Sequence, residues 1–253
     1  MKISFVIPAY NEEKSIGRCI ESIKKEYKGQ LSDIEIIVVN NASTDRTKEI
    51  ATGFSGVTVV DEPRKGLGYA RQAGFLASTG DIVANIDADA ILPSGWIEKV
   101  LEEFSKDEKL VALSGPFVYY DLSRWTNVLV KFFYGLGYAT HVINHALLGV
   151  GAMLQGGNFV LRRSALVAIG GFNVNIEFYG EDTDIARRIQ KIGKVKFTFG
   201  LPMPTSGRRL KEEGVIATGI RYTANYFWVT FLKKPLTKKH QDIRIDTTSK
   251  DRK

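Results

Sequence analysis

The first 105 residues alternate short apolar runs with amphipathic stretches, and this alternation limits the folds open to the chain. Apolar runs rich in β-branched residues occupy residues 3–8, 34–39, 57–60 and 81–85. The stretches between them place apolar residues at helical spacing. Because the runs are continuously apolar, they favour strands buried on both faces. The sequence therefore predicts an α/β fold with a doubly wound, mostly parallel sheet flanked by helices, and a ligand site at the carboxyl ends of its strands.

The second half of the chain breaks this rhythm. Residues 111–119 predict one strand. Residues 125–154 contain one charged side chain, Lys131, and polar residues and glycines interrupt the apolar stretch, so we predict one or two packed helices rather than a membrane span. Residues 220–232 predict a C-terminal helix whose apolar surface is covered by the domain, a partner or a bilayer interface. We expect a single domain over residues 1–232.

Residues 233–253 form a basic tail with eight lysines and arginines and three aspartates. Two interpretations stay open for it: a flexible, solvated terminus, or a peripheral contact with an anionic membrane surface. The single cysteine, Cys19, excludes an internal disulfide and suits a reducing compartment. The amino terminus resembles a first strand rather than a signal peptide. We therefore expect a cytoplasmic protein, and a basic tail that contacts the membrane would place it at the cytoplasmic face.

Two aspartates, Asp87 and Asp89, directly follow the fourth apolar run. Carboxylates at a strand end make a poor core and a good site for Mg²⁺ or Mn²⁺, which bind a few carboxylates together with substrate phosphates. An EF-hand is excluded because Ile91 and Leu92 stand where its loop needs a polar ligand and glycine. The pair therefore indicates phosphate-leaving chemistry.

The segment that follows the first strand, Pro8-Ala9-Tyr10-Asn11-Glu12, argues against a dinucleotide cofactor because it lacks the glycines that a Rossmann turn needs. Tyr10 either stacks on a nucleobase or packs at the strand end. Asn41, which follows the second strand, either reads a base or forms an Asx turn. Arg64, Lys65 and Arg71 gather positive charge that suits a diphosphate, although exposed charge is the ordinary role of the first two.

A second acidic segment, Gly180-Glu181-Asp182, begins a predicted helix. Carboxylates at a helix amino terminus are favoured by the helix dipole, so capping alone can explain them. A carboxylate that faces a cleft can also accept a proton from an attacking hydroxyl. Both roles stay open at this point.

Taken in order, these segments resemble the family 2 glycosyltransferases, an inverting group with the GT-A fold. The resemblance runs from about residue 2 to residue 200. The segments that carry it are Pro8-Ala9-Tyr10-Asn11-Glu12, Asn40-Asn41-Ala42-Ser43-Thr44-Asp45, Gly66 with Arg71, Gly80-Asp81, Asp87-Ala88-Asp89, Gly170-Gly171-Phe172 and Gly180-Glu181-Asp182.

The resemblance implies a role for each matching position. Asp182 is the expected catalytic base, and Asp89 with Asp87 forms the DxD motif that holds a divalent cation, Mn²⁺ or Mg²⁺. The residues expected to contact the nucleotide and substrate are Pro8, Ala9, Tyr10, Glu12, Asn41, Arg71, Asp87, Ala88 and Glu181. Residues 1–115 become the nucleotide-sugar half and residues 116–232 the acceptor half, in which a loop over residues 156–172 shapes the acceptor side.

The expected reaction moves a sugar from a UDP- or GDP-linked donor to a glycan or lipid-linked acceptor, with no nucleic acid involved. Many relatives have an acidic residue where this chain has Asn41, which leaves the choice of base open. Arg208 and Arg209 are candidates to meet a diphosphate or a lipid phosphate. The chain lacks the Gln-x-x-Arg-Trp motif of processive synthases, which favours single additions. Two alternatives are a sugar-nucleotide nucleotidyltransferase and a non-catalytic module of the same fold that binds nucleotide sugars.

Overall fold

The fold was analysed in a computed structural model, which describes residues 1–27, 33–148, 152–176, 180–232 and residue 236. The strands are β1 (Ile3–Ala9), β2 (Ile34–Asn40), β3 (Val57–Asp61), β4 (Ile82–Ile86), β5 (Leu110–Ser114), β6 (Phe117–Tyr119), β7 (Asn158–Arg162), β8 (Lys194–Phe197) and β9 (Met203–Thr205). The helices are α1 (Ile16–Glu26), α2 (Thr47–Thr52), α3 (Leu67–Ala77), α4 (Trp96–Lys106), α5 (Arg124–Leu148), α6 (Arg163–Ala168), α7 (Glu181–Ile189), α8 (Arg208–Glu213) and α9 (Val215–Leu232).

A seven-stranded sheet in the order β3-β2-β1-β4-β7-β5-β8 forms the centre of the fold. Strands β1 to β4 pair in parallel, as the continuously apolar runs predicted. Strand β7 is antiparallel to both of its neighbours, β4 and β5, and β8 pairs with β5 in parallel. The mostly parallel sheet confirms the predicted fold class and brings the ends of β1, β2 and β4 to one edge.

Apolar side chains fill the space on both faces of the sheet. On one face, Phe5 and Ile7 pack with α1 and α4, and on the other Val6 packs with α3 and α7. Helix α1 buries Ile16 and Ile20, which its spacing predicted. Removing such apolar surface from water stabilises the fold by roughly 25 cal/mol per Å², and the two layers hold the strand ends in fixed positions.

Two parts of the sequence-based prediction were wrong. The single strand predicted over residues 111–119 is two strands, β5 and β6, because Gly115 and Pro116 separate them. The predicted acceptor loop over residues 156–172 contains β7 and α6, and β7 lies inside the sheet. Strand β7 begins with the polar residue Asn158, whose side chain is buried and donates to the carbonyls of Gly115 and Leu201, both at 2.9 Å.

The second half of the chain adds a small parallel sheet, β6 with β9, and the two long helices α5 and α9, which pack against each other. Helix α5 is one continuous helix over most of the apolar stretch. None of the helices in the described part of the chain combines the length and the apolarity that crossing a bilayer requires. The basic tail falls almost wholly outside the described residues, so its predicted character stays a prediction.

Candidate active site

One large cavity opens at the carboxyl ends of β1, β2 and β4 and continues between α5 and α9. Every site residue predicted from the sequence lines this cavity. They are Pro8, Ala9, Tyr10, Glu12, Asn41, Arg71, Asp87, Ala88, Asp89, Glu181 and Asp182. The fold thus brings together residues that are far apart in the sequence, while the role of each remains a prediction.

The turns that follow β1 and β2 are joined by hydrogen bonds. The side-chain carbonyl of Asn11 accepts a hydrogen bond from the backbone N–H of Thr44 at 2.8 Å, and Ser43 Oγ accepts one from the N–H of Asn11 at 3.2 Å. Asn11 and Ala42 adopt positive φ angles of 51° and 57°. Such strained backbone is stable only where surrounding contacts fix it, and it is frequent at functional sites.

Asn41 is buried, and its amide holds the loop between β3 and α3. Its Nδ2 donates to the carbonyls of Glu62 at 3.0 Å and Arg64 at 2.7 Å, while its Oδ1 accepts from the N–H of Gly66 at 2.8 Å. Every polar group of this amide is therefore bonded to backbone. Asn41 shapes the wall of the cavity, and both donor hydrogens are already in use.

The loop that Asn41 fixes places a cation against the predicted stacking ring. Lys65 Nζ lies 3.9 Å from the centroid of the Tyr10 ring. Both residues line the cavity. An ammonium over an aromatic face is attracted by the quadrupole of the ring, so this corner of the cavity combines an aromatic surface with positive charge.

Asp87 and Asp89 follow β4 directly and project into the cavity. The N–H of Asp87 donates to the carbonyl of Gly157 at 3.3 Å. Gly157 has a φ of 83°, and a Cβ atom at this position would overlap the Asp87 carboxylate. Only glycine combines that backbone conformation with such a close approach, so Gly157 sets the position of the first aspartate.

Arg208 of α8 joins two carboxylates at the floor of the cavity. Its guanidinium contacts Glu12 and lies 3.1 Å from Asp89 Oδ2. The other oxygen of Asp89, Oδ1, accepts a hydrogen bond from Thr205 at 3.0 Å. Burial acts to lower the pKa of Arg208, but the charges of Asp89 and Glu12 outweigh it and raise the pKa above its ordinary value. Two acidic side chains, Glu12 and Asp89, therefore share this floor with one arginine, a pairing that sequence spacing did not predict.

Arg71 forms a second charged link, between α3 and α7. Its side chain is only 1% exposed, contacts the carboxylate of Glu181 and lies 3.8 Å from Asp87. Its guanidinium also lies 4.9 Å from the centre of the Phe159 ring. Burial raises the pKa of Glu181 to about 7, and the positive charge of Arg71 opposes that rise. The arginine predicted to position the nucleotide thus also holds the start of α7.

Asp182, the predicted base, is half-buried at the start of α7. Its Oδ2 accepts a hydrogen bond from the N–H of Gly156 at 3.2 Å, and its Oδ1 accepts one from the N–H of Thr183 at 2.7 Å. Burial raises the pKa of Asp182, and the Arg71 charge and these hydrogen bonds oppose the rise. A carboxylate with a raised pKa is a stronger proton acceptor, and this one faces the cavity.

The carboxylates of Asp87 and Asp89 suit a metal ion that takes few protein ligands. Within the part of the chain that the structure describes, no three His, Cys, Asp or Glu side chains converge as a metal site. The side chains of Asp87 and Asp89 are 36% and 11% exposed, so both present hard oxygen ligands to the cavity. Mg²⁺ and Mn²⁺ suit one or two carboxylates completed by water and phosphate oxygens.

Several cavity residues were missed in the sequence. Gln155 accepts a hydrogen bond from the hydroxyl of Tyr134 at 2.6 Å, and both line the cavity beside Gly156. In the sequence, this part of the cavity is indicated only by the adjacent glycines Gly156 and Gly157. Paired glycines before an apolar run indicate that the backbone approaches another group closely. Tyr134 lies within an apolar helix and carries no such signal.

The sequence model described as Glycosyl transferase family 2 matches residues 4–170, which is more than half of the chain. The chain belongs to this family. The match covers the ends of β1, β2 and β4 as well as β7, and stops before Glu181 and Asp182. Membership therefore rests on residues 4–170, and α7 to α9 lie beyond the matched segment.

Curated relatives share this part of the chain. A probable glycosyltransferase, YdaM, of Bacillus subtilis is 29% identical over 205 residues, which cover 76% of this chain and 47% of that protein. The dolichyl-phosphate beta-glucosyltransferase ALG5D of Trichomonas vaginalis is 25% identical over 236 residues, covering 86% of this chain and 71% of that protein. The chain thus spans about half the length of the first of these relatives.

A solved structure supports the GT-A fold. It is glucosyl-3-phosphoglycerate synthase from Mycobacterium tuberculosis in complex with Mn²⁺, uridine-diphosphate-glucose and phosphoglyceric acid. It superposes with a TM-score of 0.58 and 25% sequence identity, covering 89% of this chain and 78% of that one. The similarity covers most of the chain, so the shared architecture is not confined to the residues that the family model matches.

Proposed function

We propose that this chain is a glycosyltransferase that moves a sugar from a nucleotide-diphosphate sugar to an acceptor hydroxyl or lipid phosphate, with inversion at the anomeric carbon. The observation that carries the proposal is the cavity that joins Asp87, Asp89 and Asp182, carboxylates from two distant segments of the chain. A binding module has no need of a proton acceptor in the same cavity as a cation site. The raised pKa of Asp182 suits that acceptor role.

The donor binds at the ends of β1 and β2. The Tyr10 ring and Lys65 offer a stacking surface and a positive charge for the nucleoside and its phosphates. The complex of the mycobacterial synthase with a UDP-sugar supports a uridine donor, while a GDP-linked donor fits the same chemistry. Because the Asn41 amide is bonded to backbone, base selection falls to the other groups around it.

Asp89 and Asp87 would hold the divalent ion, and Mn²⁺ in the mycobacterial synthase supports this assignment. When bound, such an ion supplies positive charge that stabilises a leaving diphosphate. On the opposite side of the sugar, Asp182 accepts the proton of the acceptor hydroxyl. The acceptor oxygen bonds to the anomeric carbon while the bond from that carbon to the diphosphate oxygen breaks, and the nucleoside diphosphate leaves with the electron pair. One displacement of this kind inverts the centre.

The acceptor side is formed by α5, α7 and α9. The name of the Trichomonas relative, a dolichyl-phosphate glucosyltransferase, supports a lipid phosphate as one class of acceptor. The absence of a Gln-x-x-Arg-Trp segment from the sequence supports single additions. Exposed apolar residues on α5 and α9, together with the basic tail, support a peripheral membrane contact.

The test compares Asp182→Asn with wild type in donor hydrolysis and sugar transfer, using a panel of UDP- and GDP-sugars with Mn²⁺. We expect turnover to fall by about 10²–10⁴-fold, the usual contribution of a general base, while the thermal shift caused by donor binding is retained. Asp107→Asn is the matched control, because Asp107 precedes β5 at the opposite edge of the sheet and pairs with Lys194. Full turnover in Asp182→Asn would refute the base assignment, and pyrophosphate exchange without transfer would favour a nucleotidyltransferase.

A further inference from the structure

The cavity does not end at the carboxylates. Beyond Asp182 it continues as a cleft between α5 and α9, which we call the acceptor groove. Its lining is mainly apolar and includes Phe117, Val130, Phe133, Leu136, Met153 and Tyr222. The groove starts beside the predicted base, because Gly156 donates to Asp182 and the neighbouring Gln155 accepts from Tyr134 in the groove wall.

Three hydroxyl groups in the groove are bonded to protein, whereas Thr218 Oγ1 on α9 is buried without a hydrogen-bond partner among the described residues. Tyr134 donates to Gln155 at 2.6 Å, Thr140 to the carbonyl of Leu136 at 2.9 Å, and Thr223 to the carbonyl of Gly219 at 2.8 Å. Their donor hydrogens are therefore not offered to a ligand. An extended oligosaccharide presents many hydroxyls and needs matching polar groups, whereas a hydrocarbon needs only apolar surface, which this groove supplies.

The groove opens onto an exposed apolar surface. Leu136 and Tyr222 line the groove and are also 56% and 43% exposed. Neighbouring side chains on the same two helices are exposed as well, Phe132 at 65% and Ile220 at 64%. Apolar surface of this extent on a protein indicates contact with a lipid or another protein, and its continuity with a groove that leads to Asp182 favours a ligand that runs from the surface to the site.

Positive charge lies between the two ends of the cavity. Helix α8 packs against α9 and directs Arg208 to the carboxylates, and Arg209 of the same helix lines the cavity too. Arg208 also contacts Glu12 and Asp89, and Arg209 pairs with Glu213 at 3.1 Å, so an anionic head group would share these guanidinium groups with the carboxylates. An amphiphile with a phosphate head and an apolar chain matches both the charge at α8 and the groove beyond it.

From these features we propose that the acceptor groove binds the hydrocarbon chain of a lipid acceptor whose phosphate head group lies at the α8 end of the cavity. This inference rests on the proposed function, since it names the class of acceptor for the same site. The chain leaves the groove past Leu136 and Tyr222, so the remainder of a long lipid can stay in a bilayer.

The test measures binding of n-alkyl phosphates with four to twelve carbons, each below its critical micelle concentration, by calorimetry. Burial of one methylene in an apolar site strengthens binding by up to about fourfold, so we expect affinity to rise about two- to fourfold per added methylene. The same groove is then blocked by Gly137→Phe. Gly137 lines the groove, and a Cβ atom there makes only an ordinary contact, 3.8 Å from Met153.

Gly135→Phe is the matched control. Gly135 lies on the same helix but outside the cavity, and a Cβ there meets nothing within 4 Å. Phenylalanine is a better helix former than glycine, so neither variant should disturb α5. We expect Gly137→Phe to weaken dodecyl phosphate binding at least about tenfold, which is about the combined gain of two or three buried methylenes, and Gly135→Phe to leave it unchanged.

The proposal would be overturned by an affinity that is independent of chain length, or by a Gly137→Phe variant that keeps the gain in affinity per methylene. A wild-type dimer that dissociates in Gly137→Phe would also overturn it, because the groove would then bind a second copy of the chain. Donor hydrolysis with Mn²⁺, measured without acceptor, reports on the proposed function separately. Intact donor hydrolysis without an effect of chain length on affinity would refute only the proposal that the groove binds a lipid. Chain-length dependence without donor binding or hydrolysis sinks the proposed transfer reaction.

Discussion

Replacement of Arg208 by glutamine tests how far the charge of this arginine stabilises the carboxylates of Glu12 and Asp89 in the cavity. The guanidinium contacts Glu12, whose side chain is 1% exposed, and lies 3.1 Å from Asp89. Glutamine keeps much of the shape of the side chain and removes its charge. We expect a less stable protein that binds free Mn²⁺ more tightly, because Arg208 and a divalent ion compete for the same carboxylates.

The size of the effect follows from the geometry. Two unit charges 3.1 Å apart attract each other by about 5 kcal/mol at an effective dielectric constant of about 20. Loss of hydration around the buried groups cancels more than half of that attraction, and a third of the Arg208 side chain remains exposed to solvent. We therefore expect unfolding to become easier by about 2 kcal/mol, which lowers Tm by roughly 4–8 °C in a protein of this size.

The assay is thermal unfolding with and without Mn²⁺, supported by titration calorimetry of the free ion. Lys211→Gln is the control, because Lys211 lies on the same helix, loses the same charge and pairs with Asp121 at 3.1 Å away from the acidic floor. We expect Mn²⁺ to raise Tm more in Arg208→Gln than in wild type or in the control. An unchanged Tm, or weaker Mn²⁺ binding in Arg208→Gln, would refute this account.

Three further predictions concern single residues. Gly157→Ala should lower stability by about 2–4 kcal/mol, measured by urea unfolding, because alanine is strained at φ 83° and its Cβ overlaps Asp87. Asn41→Asp should cost about 2 kcal/mol in the same assay, since aspartate cannot donate to the carbonyls of Glu62 and Arg64; an equal or higher midpoint would contradict it. The kcat/KM should fall at acid pH as Asp182 takes up a proton, with an apparent pKa above the ordinary aspartate value of about 3.9. The same fall should remain in Glu181→Gln, although the pKa of the Glu181 carboxyl in the wild type is about 7.

The sheet was predictable because strands that are buried on both faces are continuously apolar in sequence. Residues of β1, β2 and β4 are almost all apolar, and polar residues begin where each strand ends. The cluster of Tyr10, Asn41 and Asp87 then follows from strand direction alone. Strand β7 escaped prediction because its first residue is a buried asparagine and its last an arginine, both satisfied by hydrogen bonds to distant carbonyls.

The pairing of charges in the site was not predictable. Arg208 meets Glu12 across 196 positions of sequence, and Arg71 meets Glu181 through a contact that no spacing rule encodes. For Glu181, capping of α7 and a contact in the cavity were both open, and the structure shows the side chain against Arg71. Which carboxylate pairs with which arginine depends on where the whole fold places α3, α7 and α8 around the cavity.

The Arg71–Glu181 contact has a practical consequence for engineering. A chimera joined near residue 116 takes its arginine from one parent and its glutamate from the other. If the second parent lacks the acid, the chimera inherits a fully enclosed guanidinium beside Asp87 with half of its counter-charge missing, and the first aspartate of the loop after β4 is drawn towards it. Exchanges of the second half of the chain between relatives should therefore keep these two side chains together.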